Sequence, residues 1–151
     1  NSLKLWFLIK HLGKKKIGDL IKHRHDMVRY FASLINVTDD FYMMNEVTIN
    51  STVYLYVPKQ LKDKLHTSKK KIAIEEINKL NKNIQFRLFK EGKYYVHTFQ
   101  LNDFRNVMKT GIETVFQVQR LMLGNPLTTK KVLRDFIEYS KKVAKEEAEK
   151  I

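Results

Sequence analysis

Apolar residues in this chain recur at two different intervals, and the repeated switch between them limits the folds available. Leu5, Leu8, Ile9 and Leu12 sit at helical spacing, and Gly13 can close that helix. A second helical stripe, Ile17, Ile21, Val28, Phe31 and Ile35, predicts a helix over 17–35, broken by 36–40. Phe41 to Ile49 and Thr52 to Val57 then read as strands joined at Asn50-Ser51, the second rich in β-branched and aromatic residues and ended by Pro58. Residues 59–70 are polar and read as a loop. Ala73, Ile77, Leu80, Ile84 and Leu88 restore the helical period over 71–90, with Gly92 as the stop. Alternation returns in Lys93 to Leu101 and in Val115 to Leu123, on either side of a long loop at 102–114. Thr128 or Thr129 can cap a last helix built on Val132, Leu133, Phe136, Ile137 and Val143.

This order predicts an α+β domain. Helices pack on one face of a small four-stranded, mostly antiparallel sheet, preceded by an N-terminal helical segment. A chain of 151 residues can bury one core of this kind, and 43% hydrophobic with 30% charged residues fits a globular protein, not a disordered one. No apolar run approaches the ~20 residues that span a bilayer. The start lacks the cationic lead and cleavage site of a signal peptide. It also lacks a Met, which marks Asn1 as the expected start of a piece of a longer protein. With no cysteine, disulfides and thiolate metal sites are excluded, a composition compatible with the cytosol. The five His do not make a metal site by spacing: His23 and His25, two apart on a helix, point to different sides.

The formal net charge of +13 raises nucleic acid or an anionic surface as a partner. Only six of the 29 basic residues are Arg, the side chain suited to bidentate phosphate and base contacts, so the charge reads as solvated Lys faces. Two residues stand out on pattern. Arg120 alternates with Phe116, Val118 and Met122, the side expected to be buried. A cation there needs an anion from the protein or from a ligand, unless the inner face is wet. His97 sits among Tyr95, Phe99 and Leu101, where a hydrogen-bonded core histidine is the expected role. Tyr94, Tyr95, Phe99 and Phe116 could stack bases, but no segment carries the glycine-aromatic signature of an RNA-recognition module, so core packing is expected. Neither a phosphate-cradling Gly loop nor a Ser-His-Asp or paired-carboxylate constellation is visible.

Two segments resemble a known family. Ser2-Leu3-Lys4-Leu5-Trp6-Phe7, with Gly13 and the His23, Arg24, His25 region after it, resembles the S/A-L-K-L-W helix of group II pyridoxal-phosphate decarboxylases, which include the glutamate, aromatic-amino-acid and histidine enzymes. Gly92 to Phe99, then Phe116-Gln117-Val118-Gln119-Arg120-Leu121-Met122-Leu123-Gly124-Asn125-Pro126, is similar to that family's last strand, which runs from an Arg through an apolar stretch to N-P and a terminal helix.

The resemblance implies residues 1–36 as linker and interdomain helices, and 37–151 as the C-terminal small domain, of a cytoplasmic, homodimeric carboxy-lyase converting an L-amino acid to an amine and CO2. It implies that Arg120 meets a substrate carboxylate. His97 and Thr98 fall at matching positions; no catalytic role is carried over to them, though His97 stays a candidate substrate-binding residue. The cofactor lysine and the aspartate that holds the pyridine nitrogen would belong to the large domain. This chain alone is therefore expected to lack pyridoxal phosphate, catalytic residues and turnover. The competing expectations are a basic nucleic-acid-binding α+β module, which would bind with steep salt dependence, and a non-catalytic interaction domain.

Overall fold

The computed structural model describes residues 2–151, in the order α1 (Ser2–Val37), β1 (Phe41–Met43), β2 (Ser51–Tyr56), α2 (Lys59–Lys64), α3 (Lys70–Glu91), β3 (His97–Asn102), β4 (Val115–Met122) and α4 (Lys130–Ala148). The strands form one sheet in the order β1-β2-β4-β3, and every neighbouring pair is antiparallel. The predicted α+β class and four-stranded sheet are what the chain adopts.

α1 is bent at Gly13, whose φ of 73° and ψ of 161° leave the helical region and divide the helix where the sequence predicted a stop. Its second half carries Met27, Val28, Phe31, Ala32 and Ile35 into the core. The predicted stripe of α3, Ala73, Ile77, Leu80, Ile84 and Leu88, is buried throughout, and Gly92 ends the helix in the left-handed region with φ of 66°. Thr129 caps α4, its side chain accepting from the Val132 amide.

Three local expectations are corrected. Residues 59–70 are not a loop throughout: Pro58 sets the extended entry to α2, and Leu61 and Leu65, four apart, bury themselves in the core. The first strand stops at Met43, because Asn45 turns back to accept from the Val53 amide (2.7 Å). The third strand begins only at His97; before it, Tyr94 packs on Phe136 and Tyr139 of α4.

The two faces of the sheet differ. On one, Tyr54 meets Phe31 of α1, and Phe31 meets Phe136 of α4, with ring centroids 5.8 and 5.6 Å apart. By register, Val53, Leu55, Phe116, Val118, Arg120, His97 and Phe99 share the other face. The β2–β4 pairing ends at Tyr54 and Gln119. Beyond it, Asn81 of α3 accepts from the Tyr56 amide (3.1 Å) and donates to the Tyr56 carbonyl (2.8 Å). Asn78, one turn earlier, accepts from the Gln117 amide (2.6 Å) and donates to the Val115 carbonyl (3.2 Å). Each asparagine gives one strand the partners its neighbour no longer supplies. Buried backbone groups left unpaired would each cost about 1–3 kcal/mol.

Candidate functional site

β4 carries the site, and its burial changes along its length. Phe116 and Val118 are fully buried, Arg120 is half-buried, and Met122 is exposed. The expectation that this whole side is buried therefore fails at its C-terminal end. The opposite side of the strand is buried as well: Gln119 is fully enclosed and donates to Asn81 (3.3 Å), and Gln117 donates to Thr98 (2.7 Å).

Arg120 thus stands where the core opens. Its guanidinium lies over the ring of Phe99, 5.5 Å from the centroid, and its Nε is buried without a hydrogen-bond partner. Among the described residues no carboxylate pairs with it. The ion pairs involve Lys64, Arg87, Arg105, Lys142 and Lys150 instead.

His97 is the register partner of Arg120 across β3 and β4. It is exposed, not a core residue, because β3 is an edge strand and His97 begins it. Its Nδ1 lies 3.3 Å from the Tyr95 hydroxyl, and the two rings meet edge-on at 4.8 Å. Thr98, beside it in sequence, points to the other face and donates to the Val118 carbonyl (2.9 Å). The four aromatics that could have stacked bases are dispersed: Phe116 is in the core, Tyr94 on α4, Phe99 under Arg120, and Tyr95 on the surface against Phe89 and His97.

Phe99 and Tyr95 are parts of this site that sequence reading did not assign. Their signal was the alternation Tyr95, His97, Phe99, which placed them beside His97 without saying that they flank a cation. Arg24 entered the sequence analysis only through the resemblance of its helix, with no role of its own. Its Nε is buried and unpartnered, beside a cavity of about 380 Å³ lined by Ile21, His25, Thr48, Ile49 and Asn50. His23 is spent on the Thr128 carbonyl (3.0 Å). The 102–114 loop is held internally: the buried Asp103 carboxylate accepts from the Val107 and Met108 amides, both at 2.8 Å.

A cofactor lysine must approach an enclosed aldehyde, and every lysine here is exposed or half-exposed. No group of three or more His, Asp or Glu that could hold a metal occurs among the described residues, and no helix among them is long and apolar enough to cross a membrane.

No family model matches the chain. In sequence it is 33% identical over 128 residues to the aspartate 1-decarboxylase of Aliivibrio fischeri, a match covering 83% of this chain and 22% of that protein. It is 24% identical over 139 residues to the L-2,4-diaminobutyrate decarboxylase of Acinetobacter baumannii, covering 91% of this chain and 25% of the relative. The chain thus spans about a quarter of the length of the curated relatives it matches. In structure it resembles mouse CSAD, with a TM-score of 0.74, 15% identity and coverage of 94% of this chain and 26% of that one. It also resembles Catharanthus roseus tryptophan decarboxylase in complex with L-tryptophan, with a TM-score of 0.71, 16% identity and coverage of 97% and 26%. The chain has the fold of about one quarter of a group II pyridoxal-phosphate-dependent amino-acid decarboxylase.

Proposed function

We propose that this chain is the C-terminal small domain of a pyridoxal-phosphate-dependent decarboxylase that converts an L-amino acid to its amine and CO2. In this reading residues 1–36 connect to a large cofactor-bearing domain, with the second half of α1 also packing into the small domain of residues 37–151, and the parent enzyme is a cytoplasmic homodimer. The cofactor, held outside this chain, supplies the electron sink for the reaction. Arg120 supplies a fixed cation for a substrate carboxylate, and the chain alone turns nothing over.

The observation that carries this reading is Arg120 itself. Its guanidinium sits at the mouth of the core, backed by Phe99, with no carboxylate paired to it among the described residues. A half-buried cation in that state favours an arriving anion, and the planar fork matches a carboxylate in two-point geometry. The relatives are, by name, decarboxylases of aspartate and of L-2,4-diaminobutyrate, both amino acids.

The test is CO2 release from a panel of amino acids by the full-length protein, with and without added pyridoxal phosphate. Turnover that needs the cofactor is expected, and none from the 151-residue chain alone. A full-length protein that releases no CO2 from any amino acid would end this reading.

A further inference from the structure

The apolar stripe of α1 does not stop where the core stops. Ile17, Ile21, Val28, Phe31 and Ile35 share one side of the helix, and position 24 completes the series at intervals of three and four. Arg24 therefore stands in the middle of an apolar row. After it, Val28, Phe31 and Ile35 are fully buried. Before it, Ile17 is half-buried and Ile21 is 62% exposed. The row leaves its own domain at Arg24.

The cavity of about 380 Å³ at this point has no acid in its lining, and Ile49, on the segment between β1 and β2, is as exposed there as Ile21. The Arg24 Nε is buried without a hydrogen-bond partner, and no ion pair among the described residues includes Arg24. Asp19 and Asp26, the nearest acids along α1, are five and two residues away, spacings that turn them to other sides of the helix. A guanidinium donor withdrawn from water costs free energy until an acceptor arrives, and a carboxylate can satisfy two such donors at once. A small free anion would answer the cation but leave both isoleucines in water. A protein surface with an acidic side chain among apolar ones answers all three.

We infer that the Arg24 cavity is a docking socket for an Asp or Glu side chain of the large domain of the same polypeptide, whose apolar neighbours cover Ile21 and Ile49. The inference rests on the decarboxylase reading above and adds one interdomain contact to it. The uncovered half of the stripe lies on the stretch of α1 that connects, in that reading, to the large domain. The chain spans about a quarter of the length of its curated relatives, so most of such a polypeptide lies beyond it. A second copy of this chain is the poorer occupant, because it would bring a net charge of +13 towards a cation.

The experiment uses the full-length protein and a carbodiimide, which joins an amine to a carboxylate as an amide and takes up the water released. Arg24→Lys puts a reactive amine in the socket. Peptide mass mapping is expected to show a crosslink from position 24 to one Asp or Glu preceding residue 1, in a monomer-sized product and absent from the parent. Lys64 and Glu76, 3.1 Å apart, crosslink in both proteins and verify the reaction. With that control present, a position-24 crosslink that is missing, that stays within residues 2–151 or that joins two copies overturns the inference. Arg24→Met, which leaves the partner carboxylate unpaired, is expected to speed proteolytic cleavage near Gly13 by about 10–100-fold. Arg24→Lys, which keeps the charge, is expected to retain most of the protection; equal cleavage of parent and Met variant also overturns the inference. The upstream crosslink in a protein that releases no CO2 from any amino acid places the failure in the decarboxylase reading and leaves the contact standing. Turnover without the crosslink does the reverse.

Discussion

Arg120 and His97 occupy opposed positions on β4 and β3, and neither has an acidic partner among the described residues. Cross-strand pairs usually match opposite charges or apolar groups. Here the guanidinium rests on Phe99 and the imidazole on Tyr95, so each is held by an aromatic ring. Arg120 is half-buried, His97 is exposed, and the pair is without an anion among the described residues.

Replacing Arg120 with Met separates a substrate role from a structural one. Met keeps much of the stem and its contact with Phe99 while removing the cation. In the full-length protein the loss of turnover should correspond to about 2–5 kcal/mol, the cost of removing one partner of a desolvated charge pair. In the isolated chain the change should be nearly neutral or mildly stabilising, because no ion pair among the described residues is broken and loss of the guanidinium–Phe99 contact is offset by relief of the buried, unpartnered Nε. Denaturation midpoints and initial rates, measured on the parent and on the Met variant, test this together; a clearly destabilised chain with unchanged turnover would assign Arg120 to the scaffold.

Much of the fold was legible because its signals are local and repeated. The α3 stripe needs only the 3.6-residue period, and Gly92 only its tolerance of positive φ. The site was half legible. Arg120 betrayed itself as a charge in an apolar alternation, but alternation assumes one wet face, and β4 is buried on both sides at Gln117 and Gln119. His97 was misjudged for a related reason: pattern cannot tell a central strand from an edge strand, and edge position is what exposes it. α2 was hidden because Leu61 and Leu65 are one apolar pair in a polar run, too few to show a period.

Asn81 should be among the most sensitive positions for stability. It lies in the apolar stripe of α3, fully buried, and serves both backbone groups of Tyr56 as well as Gln119. Asn81→Leu conserves volume but strands those partners, and should cost about 2–4 kcal/mol. Asn78→Ala, at a less enclosed position, should cost about 1 kcal/mol. Urea titrations that rank the two variants in the other order would refute the account of how β2 and β4 are held apart.

Glu147 makes the stability depend on acid. It is 8% exposed and accepts from Lys150 and from Arg87 (3.3 Å), joining α4 to α3. The Lys150 hydrogen bond, aided by Arg87 and opposed by burial, holds its carboxyl below the usual range. A depressed folded-state value means that the stabilisation is complete above the ordinary carboxylate value of about 4.3 and is lost as pH falls through the folded value. Glu147→Gln should therefore cost about 1–2 kcal/mol at neutral pH, with the gap to the parent closing in acid. A gap that stays constant from neutral pH into acid would show that packing, not charge, holds the two helices.

The N-terminal arm of α1 should associate when the chain is studied alone. Leu3, Leu5, Trp6, Phe7, Leu8 and Ile9 are 45–65% exposed, and at 100° per residue they point all round the helix. A helix apolar on every side is normally enclosed on every side, and the rest of this chain does not enclose it. Gly13 separates the arm from the half of α1 that packs into the core, so changes in the arm should leave the domain folded. Trp6 is the sole tryptophan and reports on the arm directly. Its emission should shift to the blue as concentration rises, in step with a growing sedimentation coefficient. A Leu5→Lys, Phe7→Lys double variant should remain monomeric with an unchanged melting temperature. In the full-length protein the same double variant should weaken the docking of the small domain, seen as faster proteolytic cleavage near Gly13. A chain that stays monomeric at high concentration, with Trp6 emission fixed, would show that the arm needs no enclosing surface.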